Sequence, residues 1–270
     1  MQIFIPTYGR SGEQATLSNL LPTGRKVTLV VQEREASKYL AHSVLESVSV
    51  QVLPPEIQTI SATRDYILKH ATDDSILMLD DDLDFAVRRT DDPTRFRSPE
   101  TEDIKRMLNE VEELLTTSPF VSIGAREGGN RNVEPYLYNT RMMRALGYRR
   151  DYLNAWKITF APMELMEDFH VALQIMLVGG TCVVANKWVT NQRSGSGAKG
   201  GCSSYRTLEM HGDAARQLAA LYPEYVTVVH KQTKTAWGGQ PRLDVRVAWK
   251  KAAAAGKASR EKRRTGVLDQ

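Results

Sequence analysis

The hydrophobic residues of the chain form short apolar runs that alternate with amphipathic segments. The runs have the length of buried strands, and the segments between them repeat apolar residues at helical spacing. The predicted strands are Ile3–Pro6, Val27–Val31, Val48–Leu53, Ile76–Leu79, Phe120–Gly124 and Thr181–Ala185, followed by Tyr225–Val229 and Val245–Trp249. The predicted helices are Ala15–Leu21, Ser37–Leu45, Ile60–Ala71, Thr101–Leu115, Leu165–Val178 and Leu208–Leu221. This alternation predicts an α/β fold with a mostly parallel central sheet flanked by helices.

Polar and glycine-rich stretches separate these elements. Arg89–Glu102 reads as a loop or flap, and Arg126–Val133 and Gly195–Ser204 read as glycine-rich loops. The segments 136–146 and 157–160 give no clear periodicity. Because no internal repeat and no linker precede residue 250, we expect one domain over residues 1–250. Residues 251–270 then form a basic, alanine-rich C-terminal tail.

The charge of the chain is concentrated at its C-terminal end. The 270 residues carry a net charge of +4, with 41% hydrophobic and 25% charged residues, an ordinary globular balance that excludes collagen and disordered chains. From Lys231 to Gln270 there are eleven Lys or Arg and three Asp or Glu, a balance of +8, which leaves −4 for the rest. An acidic body with a basic end indicates a polyanion partner such as DNA; a solubilising tail is the alternative.

The sequence also indicates a compartment. The longest apolar runs fall far short of the roughly 20 residues that cross a bilayer, and no signal peptide pattern precedes the first strand. Two cysteines, Cys182 and Cys202, suit a reducing compartment and are too few for a structural zinc site. We therefore expect a cytoplasmic protein without a membrane partner.

A run of acids follows the predicted strand Ile76–Leu79. Asp80, Asp81 and Asp82 stand where ligands bind in open α/β sheets, at the carboxyl end of a strand. Their mutual repulsion would be removed by a divalent cation, which takes oxygen ligands and neutralises diphosphates. The alternative is a solvated acidic turn. Since the chain lacks a P-loop, a Rossmann fingerprint and an EF-hand, the pattern points to metal–diphosphate chemistry without kinase or dehydrogenase parts.

Four segments in order resemble GT-A fold glycosyltransferases: Ile3–Arg10 (IFIPTYGR), Thr63–Asp65 (TRD), Leu79–Asp82 (LDDD) and Met166–Ile175 (MEDFHVALQI). Gly200–Thr207 and Val247–Ala252 are similar to the bacteriophage DNA-modifying glycosyltransferases of the TET/JBP-associated type. Enzymes of that group act on hydroxymethylated pyrimidines in DNA. The resemblance implies a GT-A fold, a nucleotide-sugar donor, DNA as the acceptor and a divalent metal, Mn²⁺ or Mg²⁺.

The resemblance also implies site residues. The donor would be bound by Pro6, Thr7, Tyr8, Arg10, Glu33, Arg64, Asp80 and Asp81. Asp80 and Asp82 would hold the metal, with His211 and His230 as candidates for a third ligand. Two of these residues have ordinary structural readings as well: Tyr8 could be a packed aromatic residue and Arg64 a surface arginine.

The Glu-Asp pair that opens the helix Leu165–Val178 supplies the candidate catalytic acids. In an inverting transferase a carboxylate removes the proton of the attacking hydroxyl, and we assign this role first to Asp168 and then to Glu167. Acids in a first helical turn are also favoured by the helix dipole, and a retaining mechanism would need no such base.

Acceptor contacts are assigned to cations and aromatic residues late in the chain. Lys199, Arg206, Lys250 and Lys251 would bind the DNA backbone. Trp156, Trp188 and Trp237 could stack on an extruded base or lie in the core.

The leading hypothesis is metal-dependent transfer of a hexosyl or pentosyl group to a hydroxymethylated pyrimidine, such as hydroxymethylcytosine, in phage DNA. The alternatives are a GT-A enzyme with a polysaccharide, lipid or protein acceptor, a nucleotidyltransferase, and a non-catalytic DNA-binding protein on a degenerate transferase fold.

Overall fold

The apolar runs form the strands of a large sheet in a computed structural model that describes residues 1–12, 14–40, 46–126, 132–192, 200–201, 205–233 and 239–265. The strands are β1 (Gln2–Thr7), β2 (Val27–Gln32), β3 (Val48–Leu53), β4 (Ser75–Leu79), β5 (Leu83–Arg88), β6 (Phe96–Arg97), β7 (Phe120–Ala125), β8 (Tyr136–Tyr138), β9 (Ala145–Arg149), β10 (Cys182–Gln192), β11 (Val226–Gln232) and β12 (Pro241–Val247). The helices are α1 (Ala15–Leu20), α2 (Ala36–Tyr39), α3 (Ile60–His70), α4 (Thr101–Leu114), α5 (Arg150–Ala155), α6 (Glu167–Leu177), α7 (Leu208–Leu221) and α8 (Trp249–Arg264).

The ten-stranded sheet has the order β3-β2-β1-β4-β9-β7-β10-β5-β6, and β8 pairs with β10 beside this path. Strands β1, β2, β3, β4, β6, β7 and β10 run in one direction, whereas β5, β8 and β9 run in the other. The prediction of a mostly parallel sheet is confirmed. The antiparallel β9 lies between β4 and β7 and begins at the end of the stretch 136–146, for which no clear periodicity was found.

Alternate residues of each strand supply two cores, one on each face of the sheet. Ile3 and Ile5 of β1 pack with residues of α1, α2 and α4, whereas Phe4 between them packs with residues of α3, α5 and α6. Both faces are therefore covered by helices, as continuous apolar strands require.

The two late strands are present but do not join the main sheet, and the second spans Pro241–Val247 because the predicted end residue Trp249 begins α8. β11 and β12 form a separate antiparallel pair, which packs with α7 and α8 against the remaining face of α6. Helix α6 consequently lies between two cores, with Val171 and Ile175 in one and Phe169 and Leu173 in the other.

Several predicted boundaries shift. The strand predicted to end at Ala185 continues to Gln192 past an irregularity, because its extension from Trp188 to Gln192 pairs with β5. The stretch 89–102 contains the short strand β6. Of the predicted helix Ser37–Leu45, the structure describes residues 37–40, of which Ser37–Tyr39 are helical. In the described part of the chain, no helix combines the length and apolar character needed to span a membrane.

The C-terminal segment is a packed helix over most of its length. The predicted boundary at residue 250 lies inside α8, whose Ala252 and Gly256 are buried against α6. A Cβ atom at position 256 would lie 1.9 Å from the carbonyl oxygen of Met176. Glycine therefore allows the backbones of α6 and α8 to meet directly.

We predict that Gly256→Ala destabilises the protein, although Ala is the better helix former. At an exposed helical position this change would add up to about 1 kcal/mol of stability. Here the clash with Met176 must displace α8, and we expect a net loss of about 1–3 kcal/mol in the free energy of unfolding. Urea unfolding measures it, with Gly12→Ala as the control because a Cβ at Gly12 meets nothing within 4 Å. A stabilised Gly256→Ala protein would contradict the packing.

Candidate active site

The predicted donor and metal residues meet at one edge of the sheet because β1 and β4 are parallel neighbours. Thr7 ends β1, and Asp80 to Asp82 follow β4 directly. The Thr7 hydroxyl donates a hydrogen bond to Asp81 Oδ2 at 2.7 Å, and the backbone N–H of Thr16 donates to the Asp81 carbonyl at 3.2 Å. These contacts fix the acidic run against the segment Pro6–Arg10.

The three aspartates have different partners. Asp80 Oδ1 lies 3.1 Å from Arg64 Nη2, whereas Asp81 accepts a short hydrogen bond from Arg10. Asp82 lies 3.2 Å from Arg10 Nη1 and accepts a hydrogen bond from Gln192 Nε2 at 3.3 Å. Asp81 is buried, so its carboxylate orients Thr7 and Arg10. The side chains of Asp80 and Asp82 stay 29% and 17% exposed and can reach a ligand.

The segment from Tyr8 to Arg10 is held by residues that the sequence analysis did not single out. The N–H of Gly9 donates to Glu35 at 2.7 Å, and the N–H of Arg10 donates to the Tyr39 hydroxyl at 3.0 Å. Glu35 is buried two residues after the exposed Glu33. The signal that could have identified Glu35 was its position just after β2, where the nearby Glu33 had already been predicted to bind the donor.

Tyr8 and Arg10 are both covered in part. The Arg34 guanidinium carbon stands 4.8 Å from the centre of the half-buried Tyr8 ring. Arg10 Nη2 donates to the Gly200 carbonyl at 3.3 Å, and the Gly201 N–H donates to the Tyr8 carbonyl at 2.7 Å. The glycine pair therefore lies against the segment that was predicted to bind the donor.

Arg64 joins the two acidic groups of the site. Its side chain is only 6% exposed, and it pairs with Asp80 through Nη2 and with Glu167 through Nη1. Burial lowers the pKa of Arg64, but the carboxylates of Glu167 and Asp80 outweigh this effect and raise it. Burial raises the pKa of Asp80 to about 6, while Arg64 opposes that shift. Arg64 is thus an internal ion-pair partner and not a surface arginine, which was the alternative in the sequence analysis.

Glu167 and Asp168 begin α6 but face different surroundings. Met166 before them has φ +60°, a left-handed backbone that turns the chain sharply into the helix. Glu167 is buried on Arg64, whereas Asp168 is half-buried and lies near Arg141. Burial raises the pKa of both carboxyls, and the neighbouring arginines oppose the rise. Asp168 is therefore the member of the pair with solvent access, as a base requires.

Comparison with known protein families identifies the family of the chain. The family of TET-associated glycosyltransferases matches residues 1–201, which include β1, the aspartate run and the Glu-Asp pair. The chain belongs to this family. This TET-associated glycosyltransferase is thus an enzyme of sugar transfer, as the resemblance implied.

Two curated relatives agree with the assignment. The beta-glucosyl-HMC-alpha-glucosyl-transferase of Enterobacteria phage T2 is 24% identical over 242 residues, covering 83% of this chain and 82% of its own. The protein of the same name from Enterobacteria phage T6 has the same identity and coverage.

Solved structures share the fold of this TET-associated glycosyltransferase. S. aureus TarS 1–349 in complex with UDP-GlcNAc has a TM-score of 0.51 at 16% identity, covering 81% of this chain and 67% of that one. Glucosyl-3-phosphoglycerate synthase from Mycobacterium tuberculosis, solved with Mn²⁺, UDP and phosphoglyceric acid, has a TM-score of 0.51 at 13% identity, covering 89% and 88%. The GT-A fold is confirmed.

The carboxylate oxygens of Asp80 and Asp82 are ligands that suit Mg²⁺ or Mn²⁺, but they are few. No group of three His, Cys, Asp or Glu that could hold a metal occurs within the ranges the structure describes. Asp80 and Asp82 could supply one or two ligands, a number that suits Mg²⁺, which usually keeps waters and substrate phosphates in its shell. His230 is exposed on β11, and His211 is buried on α7, where burial lowers its pKa to about 4. Neither histidine forms such a group with the aspartates.

The predicted acceptor residues are spread over the molecule. Arg206 is half-buried before α7, and Lys250 and Lys251 lie exposed in the first turn of α8. Trp188 is buried and donates from Nε1 to Glu110 at 2.6 Å, so this tryptophan belongs to the core and cannot stack on an extruded base. Trp156 is half-buried, with its ring 5.2 Å from that of Tyr152. Lys199 and Trp237 lie outside the described residues.

Proposed function

We propose that this enzyme transfers a sugar from a nucleotide-sugar donor to the hydroxyl of a hydroxymethylated pyrimidine in DNA. One observation carries the proposal: the guanidinium of Arg64 touches both Asp80 and Glu167. The candidate metal ligand Asp80 and the first turn of α6, where the candidate base Asp168 follows Glu167, are far apart in sequence and are therefore linked through a single side chain. A donor diphosphate at the first and an acceptor hydroxyl at the second would be close enough to react.

The donor would lie along the carboxyl edge of β1 and β2. Pro6, Thr7, Tyr8 and Glu33 would contact its nucleoside, and Asp80 would contact its ribose or the metal. Arg10, which already spans Asp81 and Asp82, would reach the diphosphate as a charge-assisted donor. Mg²⁺ or Mn²⁺ held by Asp82 and Asp80 would supply charge neutralisation for the diphosphate leaving group.

Asp168 would act as the base of an inverting displacement. Its carboxylate takes the proton of the acceptor hydroxyl while the hydroxyl oxygen bonds to the anomeric carbon. The bond from that carbon to the phosphate oxygen breaks, and the nucleoside diphosphate leaves. Glu167 stays paired with Arg64 and keeps the first turn of α6 in place. The phage relatives are named for alpha-glucosyl transfer, so retention is the competing outcome, and NMR of the anomeric proton of the product distinguishes the two.

The DNA acceptor is supported by the phage relatives, whose name specifies beta-glucosyl-HMC. The same name makes a base that already carries a sugar a second acceptor to test. We propose that the reaction takes place in the cytoplasm, or in the host cytoplasm if a phage encodes the enzyme.

The experiment is glycosylation of defined DNA. We expect purified enzyme with Mn²⁺ or Mg²⁺ to convert hydroxymethylated or glucosylated hydroxymethylated DNA into nucleosides heavier by one sugar, detected by mass spectrometry after digestion. The reaction should stop with EDTA and resume with excess Mn²⁺. Donor consumption with a polysaccharide, lipid or protein acceptor alone would overturn the DNA assignment. Absence of consumption across a donor panel would favour a non-catalytic DNA-binding protein.

A further inference from the structure

Helix α8 concentrates positive charge on a fixed surface. Its sixteen residues carry seven cations and one acid, Glu261, a balance of +6. The cations are Lys250, Lys251, Lys257, Arg260, Lys262, Arg263 and Arg264. Because Ala252 and Gly256 pack directly on α6, the helix is held in the folded protein and does not need a partner to form.

Only some of these cations have a structural role. Lys251 donates to the Glu224 carbonyl at 3.0 Å, and Arg260 and Arg263 lie 3.3 and 3.4 Å from carbonyls at the C-terminal end of α6. These contacts suit the negative end of a helix dipole. Lys250 and Lys257 make no hydrogen bond or ion pair with any residue in the described ranges. Their charge is available to another molecule.

Lys250 and Lys257 border a cleft of about 270 Å³ between α8 and the turn after α6. The two lysines are seven residues apart, so they lie on one face of α8, about 10 Å from each other along the axis. That spacing corresponds to about three phosphate steps of one DNA strand. Tyr138, 58% exposed, borders the same cleft from β8. We call this feature the α8 cleft.

The helix runs away from the catalytic end of the molecule. The Trp249 ring packs 5.6 Å from that of Phe169, the residue after Asp168, whereas Gly256 meets Met176 and Arg260 meets Gly179. Helices α6 and α8 are therefore parallel, and the basic surface starts beside the Glu-Asp pair and extends about 24 Å from it. A polyanion along α8 would reach the site at one end only.

We propose that the α8 cleft and the cationic end of α8 bind the phosphate backbone of the acceptor DNA along the stretch that leads away from the reacting base. The inference rests on the proposed DNA acceptor. Contacts of this kind supply affinity and position the duplex but read no sequence. An anionic membrane is the less suitable partner, because the apolar side of α8 is packed on the protein and its outer face offers no large apolar residue to insert.

The test compares two double variants with the same change in charge. Lys250→Gln/Lys257→Gln removes the cleft lysines, and Lys26→Gln/Lys69→Gln removes two exposed lysines elsewhere. Binding of a fluorescent hydroxymethylated two-turn duplex is measured by anisotropy over a range of KCl concentrations. We expect the plot of log K against log salt concentration to be less steep for the cleft variant, by about 1.8 in slope, and its affinity for the duplex to be lower by roughly tenfold or more. Thermal unfolding and UDP binding verify that both variants are folded.

Equal slopes for the two variants would overturn the inference. A cleft variant that no longer binds phosphatidylglycerol vesicles but still binds the duplex like the wild type would overturn it as well. In either case, glycosylation of DNA by the wild type would leave the proposed function standing. If the wild type binds no duplex and modifies no DNA, both proposals fail together.

Discussion

Asp168→Asn should lower kcat by between about a hundredfold and ten-thousandfold, the range contributed by a positioned general base. The amide keeps the size and polarity of the side chain but cannot take the proton of the acceptor hydroxyl. The affinity for the nucleoside diphosphate should stay within about threefold of the wild-type value, because Asp168 is not among the residues proposed to bind the donor. Single-turnover rates with saturating donor and acceptor, together with UDP titrations, measure the two effects.

The matched control is Glu164→Gln, an exposed acid four residues earlier, which should leave kcat unchanged. A wild-type pH profile adds a second readout. Since burial raises the pKa of Asp168, the basic form is lost as the pH falls, and the acidic limb should lie above that of an ordinary aspartate. Retention of more than a tenth of kcat in Asp168→Asn would remove Asp168 from the role of base.

Arg64→Met should produce the largest loss of stability among single changes in the site. The substitution leaves the buried Glu167 and the partly exposed Asp80 without their shared cation, and breaking a buried ion pair from one side costs about 3–5 kcal/mol. Urea unfolding at fixed pH measures this cost. Arg25→Met is the control, because Arg25 is paired with Glu112 near the surface, where such pairs contribute at most about 1 kcal/mol.

The loss should depend on pH in a defined direction. Arg64 lowers the pKa of Asp80 and Glu167, so its removal raises both further above the values of the unfolded chain. Carboxyls with a raised folded-state pKa favour folding at low pH and oppose it as the pH rises through that pKa. The difference between Arg64→Met and wild type should therefore be smaller at pH 5 than at pH 8. A difference no larger than that of Arg25→Met would show that Arg64 does not compensate these acids.

Much of the site was predictable because local pattern specifies it. The four apolar residues of β4 lead directly into the aspartates, and acids open an otherwise apolar α6. Thr7 and the aspartates meet at one sheet edge because β1 and β4 share a direction, and Arg64 links Asp80 to Glu167 at the start of α6. The alternatives that the sequence left open and the structure resolved concern single side chains. Trp188 is a core residue, and Arg64 is an internal ion-pair partner, because each depends on neighbours that are remote in sequence.

The order of apolar and polar residues by itself determined that this protein has an α/β fold and which acids stand at its strand and helix ends, whereas the glycosyltransferase assignment came from the resemblance of four segments to a known family. Periodicity and composition reflect residues that are close along the chain, and such local patterns are enough to specify helices, strands and the residues at their ends. Tertiary structure alone decided that Glu167 pairs with Arg64 while Asp168 stays accessible, and that the basic C-terminal segment lies on α6 as a helix. Those outcomes depend on which surfaces meet across the fold, at positions such as Met176 and Gly256, and chain order does not specify such contacts.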